Sequence, residues 1–506
     1  MTNHLFEQFR RHVPGASARF LELPDGAVVT YGDMLARSAH LANALVARGV
    51  KPGDRVAVQV EKCPGALMLY LACVRAGAVF LPLNVAYTLA ELDYFFTDAE
   101  PRLVVCDPGR EGEISRIAGK MGAAVDTLAG GGEGSLNEIA NLSDPTFADV
   151  ARAPDDLAAI LYTSGTTGRS KGAMLSHENL ASNARVLAET WRFTSADVLL
   201  HALPIFHTHG LFVATNVTLM AGSSILFLPR FDVDEILRLI PRATCMMGVP
   251  TFYTRLLQSP RLTRDATAHM RLFVSGSAPL LADVHEQWRA RTGHAILERY
   301  GMTETNMNTS NPYDGDRVAG TVGFPLPGIA LRITDPETGN PLPPGAIGMI
   351  EVKGPNVFHG YWRMPEKTKA EFRADGFFIT GDLGKIDDRG YVHIVGRGKD
   401  LVISGGYNVY PKEVENEIDA IDGVVESAVV GIPHPDFGEG VVAVVVKAAG
   451  SSLTEGDIQQ ALGARLARFK QPKRVLFVGE LPRNTMGKVQ KSELRQRYRA
   501  VFERDM

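Results

Sequence analysis

The sequence predicts an α/β protein: a large N-terminal domain of layered α/β subdomains with a β-rich subdomain, then a small C-terminal α/β domain. Three observations carry this. Short β-branched runs (55–60, 103–106, 272–275) alternate with segments of helical spacing, which indicates α/β layers and parallel strands. From Gly320 onward the pattern turns to short strands and turns, as in ALRITD, PETGNPLPPG and GMIEVKG. At 396–406 (GRGKDLVISGG) charge and glycine cluster just before a new αβ pattern, which reads as a boundary. A chain of 506 residues also exceeds what one core serves, since domains run to about 100–200 residues.

The elements follow in order. Apolar residues at helical spacing (Met34, Leu35, Ala39, Leu41, Ala42, Leu45) predict a helix over 31–48, closed by the turn Lys51, Pro52, Gly53, Asp54. A strand over 55–60, a helix over 63–76, a strand near 79–83, a helix over 89–99 and a strand over 103–106 follow. The low-complexity AGGGEG at 129–134 predicts a mobile surface loop. After position 172 come a short strand at 173–175, a helix over 176–188, a strand at 198–203 and a helix from Leu211. Strands at 224–228, 245–249 and 272–275 continue the alternation, with a helix from Val233. Beyond the boundary, helices at 411–419 and 458–466 and strands at 424–431, 441–446 and 474–478 make up about 105 residues, enough for a small α/β domain.

Composition excludes several classes. A net charge of −4 gives no nucleic-acid or polybasic membrane surface. Cys63, Cys73, Cys106 and Cys245 lie far apart, with no CxxC or His/Cys cluster, so they read as buried small side chains in a reducing compartment. The N-terminus lacks a signal-peptide core, and the most apolar region, 66–90, is broken by Arg75, Gly77 and Pro82. The expectation is a soluble cytoplasmic protein with no membrane or nucleic-acid partner.

The chemistry concentrates at 162–172, YTSGTTGRSKG. Glycines let backbone N–H groups converge, hydroxyls add donors, and Lys171 adds a point charge, which together suit phosphates. The bland alternative, a flexible linker, does not fit the apolar run LAAILY before it and the strand and helix after it. A Walker loop needs a second glycine directly before the lysine, where this chain has Ser170, so a motor or switch NTPase is disfavoured.

Seven stretches occur in order: the loop at 163–172, PIFHTHG at 204–210, SGSAPL at 275–280, YGMTET at 300–305, TGD at 380–382, GRGKDLVI at 396–403 and PRNTMGK at 482–488. In this set and order the chain resembles the adenylate-forming acyl-CoA synthetase superfamily, over essentially its whole length. The resemblance implies the adenylate-forming enzyme fold, with an N-terminal domain over 1–396, a hinge over 397–404 and a mobile C-terminal lid over 405–506. It implies ATP, Mg²⁺ and coenzyme A as cofactor and co-substrates: a carboxylate joins the α-phosphate of ATP, pyrophosphate leaves, and a thiol then displaces AMP.

Residue by residue, the resemblance assigns Thr163, Ser164, Gly165, Thr166, Thr167, Gly168, Ser170 and Lys171 to the phosphates. Thr303 meets the α-phosphate and Glu304 holds Mg²⁺. Gly276, Ser277, Ala278, Glu298, Tyr300, Gly301 and Met302 border the nucleotide, with the adenine against Tyr300. Asp382 takes the ribose diol with Arg397, and Lys488 bridges the attacking carboxylate and the α-phosphate. Gly405, Gly406 and Tyr407 line the pantetheine channel after the lid turns about Lys399. Acetylation of Lys488 would remove the charge that adenylation needs, which makes a lysine acetyltransferase and deacetylase conceivable partners. Taken alone, Asp382 reads as a cap, Glu304 as a helix N-terminal acid and Lys488 as a solvated charge; the collective match outweighs those readings.

The acid is addressed by Arg299. Aryl and fatty acyl members usually carry glycine before the Tyr-Gly pair, leaving room for a chain; here the string is Glu298, Arg299, Tyr300, Gly301. An arginine fills that space and offers a bidentate partner to a second carboxylate. His207, Thr208, His209 and Ser277 border the same pocket, with His207 also placed at the chemistry, and Met302 and Met307 could close it. The expectation is a short dicarboxylic acid, and the ERYGMTET, HTHG and VPTFYTRL strings resemble the malonate-activating branch, whose members also take methylmalonate. The plainer reading of Arg299 is an outward side chain paired with Glu298 or a neighbour. Competing functions are ligation of acetate, propionate or succinate, an adenylation module feeding a carrier protein, and a non-catalytic nucleotide binder.

Overall fold

The computed structural model describes residues 2–163, 170–405, 407–463, 465–484 and 487–502. The described chain forms two compact units: Met1–Ala330 with Val352–Phe378, and Leu331–Glu351 with Ile379–Met506.

The first unit is built on two sheets. One runs in the order Gly360–Tyr361, Lys171–Ser176, Leu157–Thr163, Val79–Pro82, Arg55–Gln59, Leu103–Cys106, Ala124–Thr127. The strands from Leu157–Thr163 to Ala124–Thr127 are parallel and read as largely apolar runs because helices bury both faces, with Phe95, Phe96, Val104 and Ile160 among the residues packed together. The second sheet has nine strands, from Phe324–Pro325 through Leu297–Met302, Leu272–Ser275, Cys245–Gly248 and Val198–His201 to Val28–Thr30. Trp288, Tyr253 and Phe273 fill its core, the tryptophan standing edge-on to both rings.

Helix starts follow from side-chain caps. Thr30 with Asp33, Thr88 with Glu91, and Ser176 with Asn179 form reciprocal capping boxes, each stabilising a helix end by about 1 kcal/mol. The Ser176 box begins the helix His177–Thr190 directly after the strand Lys171–Ser176. The expected helix from Leu211 instead opens as the π-helix His209–Thr215 before becoming α-helical at Asn216–Ala221. Two donors account for the wide turn: the Gly210 carbonyl already accepts from His201 Nε2 at 2.8 Å and Thr215 Oγ1 at 3.0 Å. The AGGGEG segment is a turn closed by Ala129 N–H donating to the Glu133 carbonyl at 2.7 Å, and a β-carbon on Gly134 would lie 2.3 Å from the Thr127 carbonyl oxygen. Helices His4–Arg11, Glu111–Ala118 and Ser135–Asn141 are additional to the sequence expectation.

The β-rich part, expected within the N-terminal domain, is a four-stranded sheet in the order Ala330–Thr334, Gly348–Lys353, Phe378–Ile386, Val392–Arg397, and most of it falls in the second unit instead. That unit also contains a five-stranded sheet centred on Gly438–Lys447. In that strand Val441, Ala443 and Val445 pack with Val414 and Ile418, while Val442, Val444 and Val446 pack with Leu481, Leu494 and Phe502. Both faces of a period-two strand are therefore buried, which explains its unbroken valine run. The helix expected at 458–466 runs over Glu455–Gly463, because Thr454 Oγ1 accepts from Asp457 N–H at 3.3 Å and sets an earlier start. Among the described residues, no helix is long and apolar enough to cross a membrane.

Candidate active site

The strands on either side of the loop expected to bind phosphates pair antiparallel. Thr163 faces Lys171 and Tyr162 faces Gly172 across the strands Leu157–Thr163 and Lys171–Ser176. A strand after the loop, where a Walker loop would lead into a helix, agrees with the missing second glycine. Ser164, Gly165, Thr166, Thr167 and Gly168 lie outside the described residues. The hairpin base is firmly held: Tyr162 donates to Asp98 Oδ2 at 2.5 Å, Tyr94 donates to the Ser170 carbonyl at 2.7 Å, and Trp362 N–H donates to the Gly172 carbonyl at 2.7 Å. Lys171 Nζ lies 3.2 Å from Glu371 Oε1 and 4.2 Å from the centre of the Tyr361 ring.

The strand Leu297–Met302 and its antiparallel neighbour Asn306–Ser310 carry the next group of residues. Tyr300, Gly301, Met302 and Thr303 are half-buried there, while Glu304 is buried with Oε1 3.0 Å from the Tyr361 hydroxyl. A β-carbon on Gly301 would fall 2.0 Å from the Asn306 carbonyl oxygen and 2.7 Å from Met307 Cε, so glycine is what lets Met307 pack across this bend. Glu298 is turned to the backbone, where Oε1 accepts from Leu280 N–H at 3.2 Å.

Arg299 points inward, and this removes the plainer reading of an outward side chain. It is 3 % exposed, and its Nε and Nη2 are buried with no hydrogen-bond partner among the described residues. Its guanidinium lies flat against Gly276: a β-carbon there would sit 2.4 Å from Cζ, 2.5 Å from Nε and 2.6 Å from Nη1. Burial drives the Arg299 pKa down to about 9, against smaller upward pulls from Tyr253 and Glu298. Arg271, the other basic residue near this sheet, is committed elsewhere. Its Nε and Nη2 hold both oxygens of Asp197 at 2.7 and 2.8 Å, and Nη1 donates to the Trp191 carbonyl.

The π-helix brings PIFHTHG to the same place. Burial, then Arg299 and His207, hold His209 well below the usual histidine range, so it is neutral beside the guanidinium. His209 Nδ1 lies 3.2 Å from Ser277 Oγ, and His209 N–H donates to His207 Nδ1 at 3.3 Å. Ser277 sits at φ 71°, a left-handed conformation that a non-glycine residue adopts at a cost, next to half-buried Ala278. The Thr208 hydroxyl is buried with no hydrogen-bond partner among the described residues. Arg299, Gly276, Ser277, His207 and His209 thus form one neighbourhood.

In the second unit, Asp382 and Arg397 face each other across adjacent strands, with Arg397 Nε 2.7 Å from Asp382 Oδ1. Asp382 is mid-strand and buried, so the capping reading does not apply. Lys399 is exposed on the 3₁₀ turn Gly398–Asp400, and Asp400 is paired with Arg495 at 2.6 Å. Lys488 follows a turn in which Gly487, at φ 73°, donates to the Asn484 carbonyl. The Lys488 side chain is exposed overall, yet its ammonium is drawn down to about 8, by desolvation first and then by Arg397, with Lys399 adding to the fall and Asp382 and Asp400 opposing it. Gly405, at φ 60°, donates to the Phe437 carbonyl at 2.9 Å; Tyr407 is 59 % exposed and stacks on Phe469; Gly406 lies outside the described residues.

Sequence reasoning missed Tyr361 and Glu371. They lie in no phosphate motif, and only the edge strand Gly360–Tyr361, paired to Lys171–Ser176, brings them to the loop.

Residues 6–362 match the AMP-binding enzyme family and residues 413–488 its C-terminal domain. A feruloyl-CoA synthase from Amycolatopsis sp is 38% identical over 94% of each chain. A malonate–CoA ligase from Arabidopsis thaliana is 37% identical over 83% of this chain and 74% of its own. The ATP-bound crystal structure of MatB from Rhodopseudomonas palustris aligns with a TM-score of 0.98 at 65% identity, covering 99% of this chain and 100% of that one. With matches over both regions, the chain belongs to the AMP-binding enzyme family.

Proposed function

We propose that this enzyme joins malonate to coenzyme A in two steps, forming malonyl-adenylate and pyrophosphate from ATP and then malonyl-CoA and AMP. It is an AMP-forming acid–thiol ligase. The observation that carries the choice of acid is the buried Arg299, whose Nε and Nη2 have no hydrogen-bond partner among the described residues. A buried cation without a hydrogen-bonded anion is costly, and a substrate bringing a second carboxylate offsets that cost with a bidentate pair. Stranding such a charge typically costs about 3–5 kcal/mol, which disfavours monocarboxylates by hundreds- to thousands-fold. Relatives named malonate–CoA ligase and the MatB structure support the same reading.

In this reading one malonate carboxylate meets Arg299, with neutral His209 and Ser277 completing the wall and Met302 and Met307 limiting length. The other attacks the α-phosphate. Lys171, Ser170 and Thr163 bind the phosphates, Thr303 the α-phosphate, and Asp382 the ribose with Arg397 beside it. Glu304 would hold Mg²⁺: its carboxylate is a hard oxygen donor, buried and oriented by Tyr361. Bound there, the ion would offset charge on the leaving phosphates. Lys488 supplies positive charge to the attacking carboxylate, so the chemistry rests on positioning and charge compensation. For thioester formation the lid turns about Lys399, and the segment of Gly405 and Tyr407 admits the pantetheine. The domain limits proposed are 1–396, 397–404 and 405–506. The four cysteines, buried and unpaired, support a reducing, cytoplasmic setting.

Pyrophosphate release across malonate, methylmalonate, succinate, acetate and propionate, each with and without CoA, tests the proposal. Malonate-dominated release with malonyl-CoA as product is expected; dominant acetate turnover would exclude it.

A further inference from the structure

The lysine that the loop offers to phosphates already has a carboxylate partner. Lys171 Nζ lies 3.2 Å from Glu371 Oε1, and both side chains are largely buried. Tyr361 connects this pair to the acid at the end of the YGMTE string. Its hydroxyl lies 2.6 Å from Glu371 Oε2 and 3.0 Å from Glu304 Oε1, and its ring lies beneath the lysine ammonium at 4.2 Å. The arrangement is held by backbone register. Tyr361 pairs with Ala173 on the strand that begins at Lys171, and Glu371 ends the helix Pro365–Ala370, where Lys367 also holds it at 2.8 Å.

Two physical facts follow. A carboxylate at 3.2 Å competes with a phosphate for the same ammonium, because each neutralises the charge the other needs. And a phenol has one proton: Glu304 and Glu371 share it, so what one carboxylate gives up the other gains. When Glu304 turns to a metal ion, Tyr361 donates wholly to Glu371, and Glu371 needs Lys171 less.

We propose that Glu371 is a positioning residue that holds Lys171 off the phosphates in the nucleotide-free enzyme, with Tyr361 linking its release to engagement of Glu304. This rests on the reading of Lys171 as a phosphate contact. Glu371 touches neither nucleotide nor acid; it sets how much of the enzyme has a lysine ready to bind.

The test is calorimetric titration of full-length protein with magnesium α,β-methylene-ATP, which binds but cannot transfer its adenylyl group, together with the rate at which an amine-acylating reagent labels Lys171 in nucleotide-free protein, read by mass spectrometry. Glu371→Gln keeps the shape and the tyrosine hydrogen bond while removing the charge. It should bind the analogue roughly three- to ten-fold tighter and label Lys171 several-fold faster. A merely structural role would weaken binding, so unchanged or weaker binding, or unchanged labelling, would overturn the proposal. Tyr361→Phe should shrink the affinity gain that Mg²⁺ confers by about two-fold or more; an unchanged gain would overturn the link. Lys171→Ala separates the two layers: wild-type affinity in that variant defeats the phosphate reading itself, whereas weakened binding there without tightening in Glu371→Gln defeats the holding role alone.

Discussion

The guanidinium of Arg299 lies on the Cα of Gly276, so close that a β-carbon there would stand 2.4 Å from Cζ. Neither residue explains itself alone. The glycine makes room for a buried cation. Gly276→Ala should displace the arginine and lower kcat/KM for malonate by roughly 100-fold, since about 1 Å of misplacement costs that much in a positioned site. Steady-state kinetics with malonate, with ATP saturating, checks this. A wild-type value would mean that the arginine has room to retreat without consequence.

Removing the charge should trade function for stability. Arg299→Met replaces a poorly satisfied buried cation by an apolar side chain of similar length, so the ligand-free protein should gain about 1–3 kcal/mol. Malonate, which should raise the thermal midpoint of the wild type, should leave the variant's unchanged. Thermal unfolding with and without malonate reads both effects.

Lys488 should divide the reaction into halves. Lys488→Ala should cut adenylation by about 100-fold or more, as loss of a preorganised charge does, yet spare thioester formation from supplied malonyl-adenylate. Acetylation of the same amine should act alike. Single-turnover assays of each half measure the split; equal loss in both halves would contradict two lid orientations.

The same residue gives a pH dependence. With the Lys488 ammonium drawn down to about 8, its charged form dominates below that pH and is lost above it. The kcat/KM for adenylation should therefore fall as pH rises through about 8. Lys488→Arg stays charged throughout, so its rate, though lower, should lose this limb.

Much of the fold was legible because local chemistry and burial agree. The alternation of strand and helix in the first 106 residues follows directly from capping boxes at Thr30 and Thr88 and from apolar runs buried on both sides. The valine run at 441–446 likewise announces a strand with two covered faces. What the sequence concealed depended on distant pairing. The π-helical turn at His209–Thr215 arises because His201, on another element, takes the Gly210 carbonyl. The inward aim of Arg299 follows from the glycine opposite it, and the Lys171–Glu371 pair spans two hundred residues of chain. Motif spacing locates residues on one strand or loop; it carries no information about which acid stands across from a lysine.

On the proposed reading, Arg299 recognises the second carboxylate of the acid. The most direct measurement is the ratio of kcat/KM for malonate to that for propionate, in the wild type and in Arg299→Gly. The ratio should fall by on the order of 100-fold or more, through lost malonate use and gained propionate use. A ratio unchanged by the substitution would contradict it.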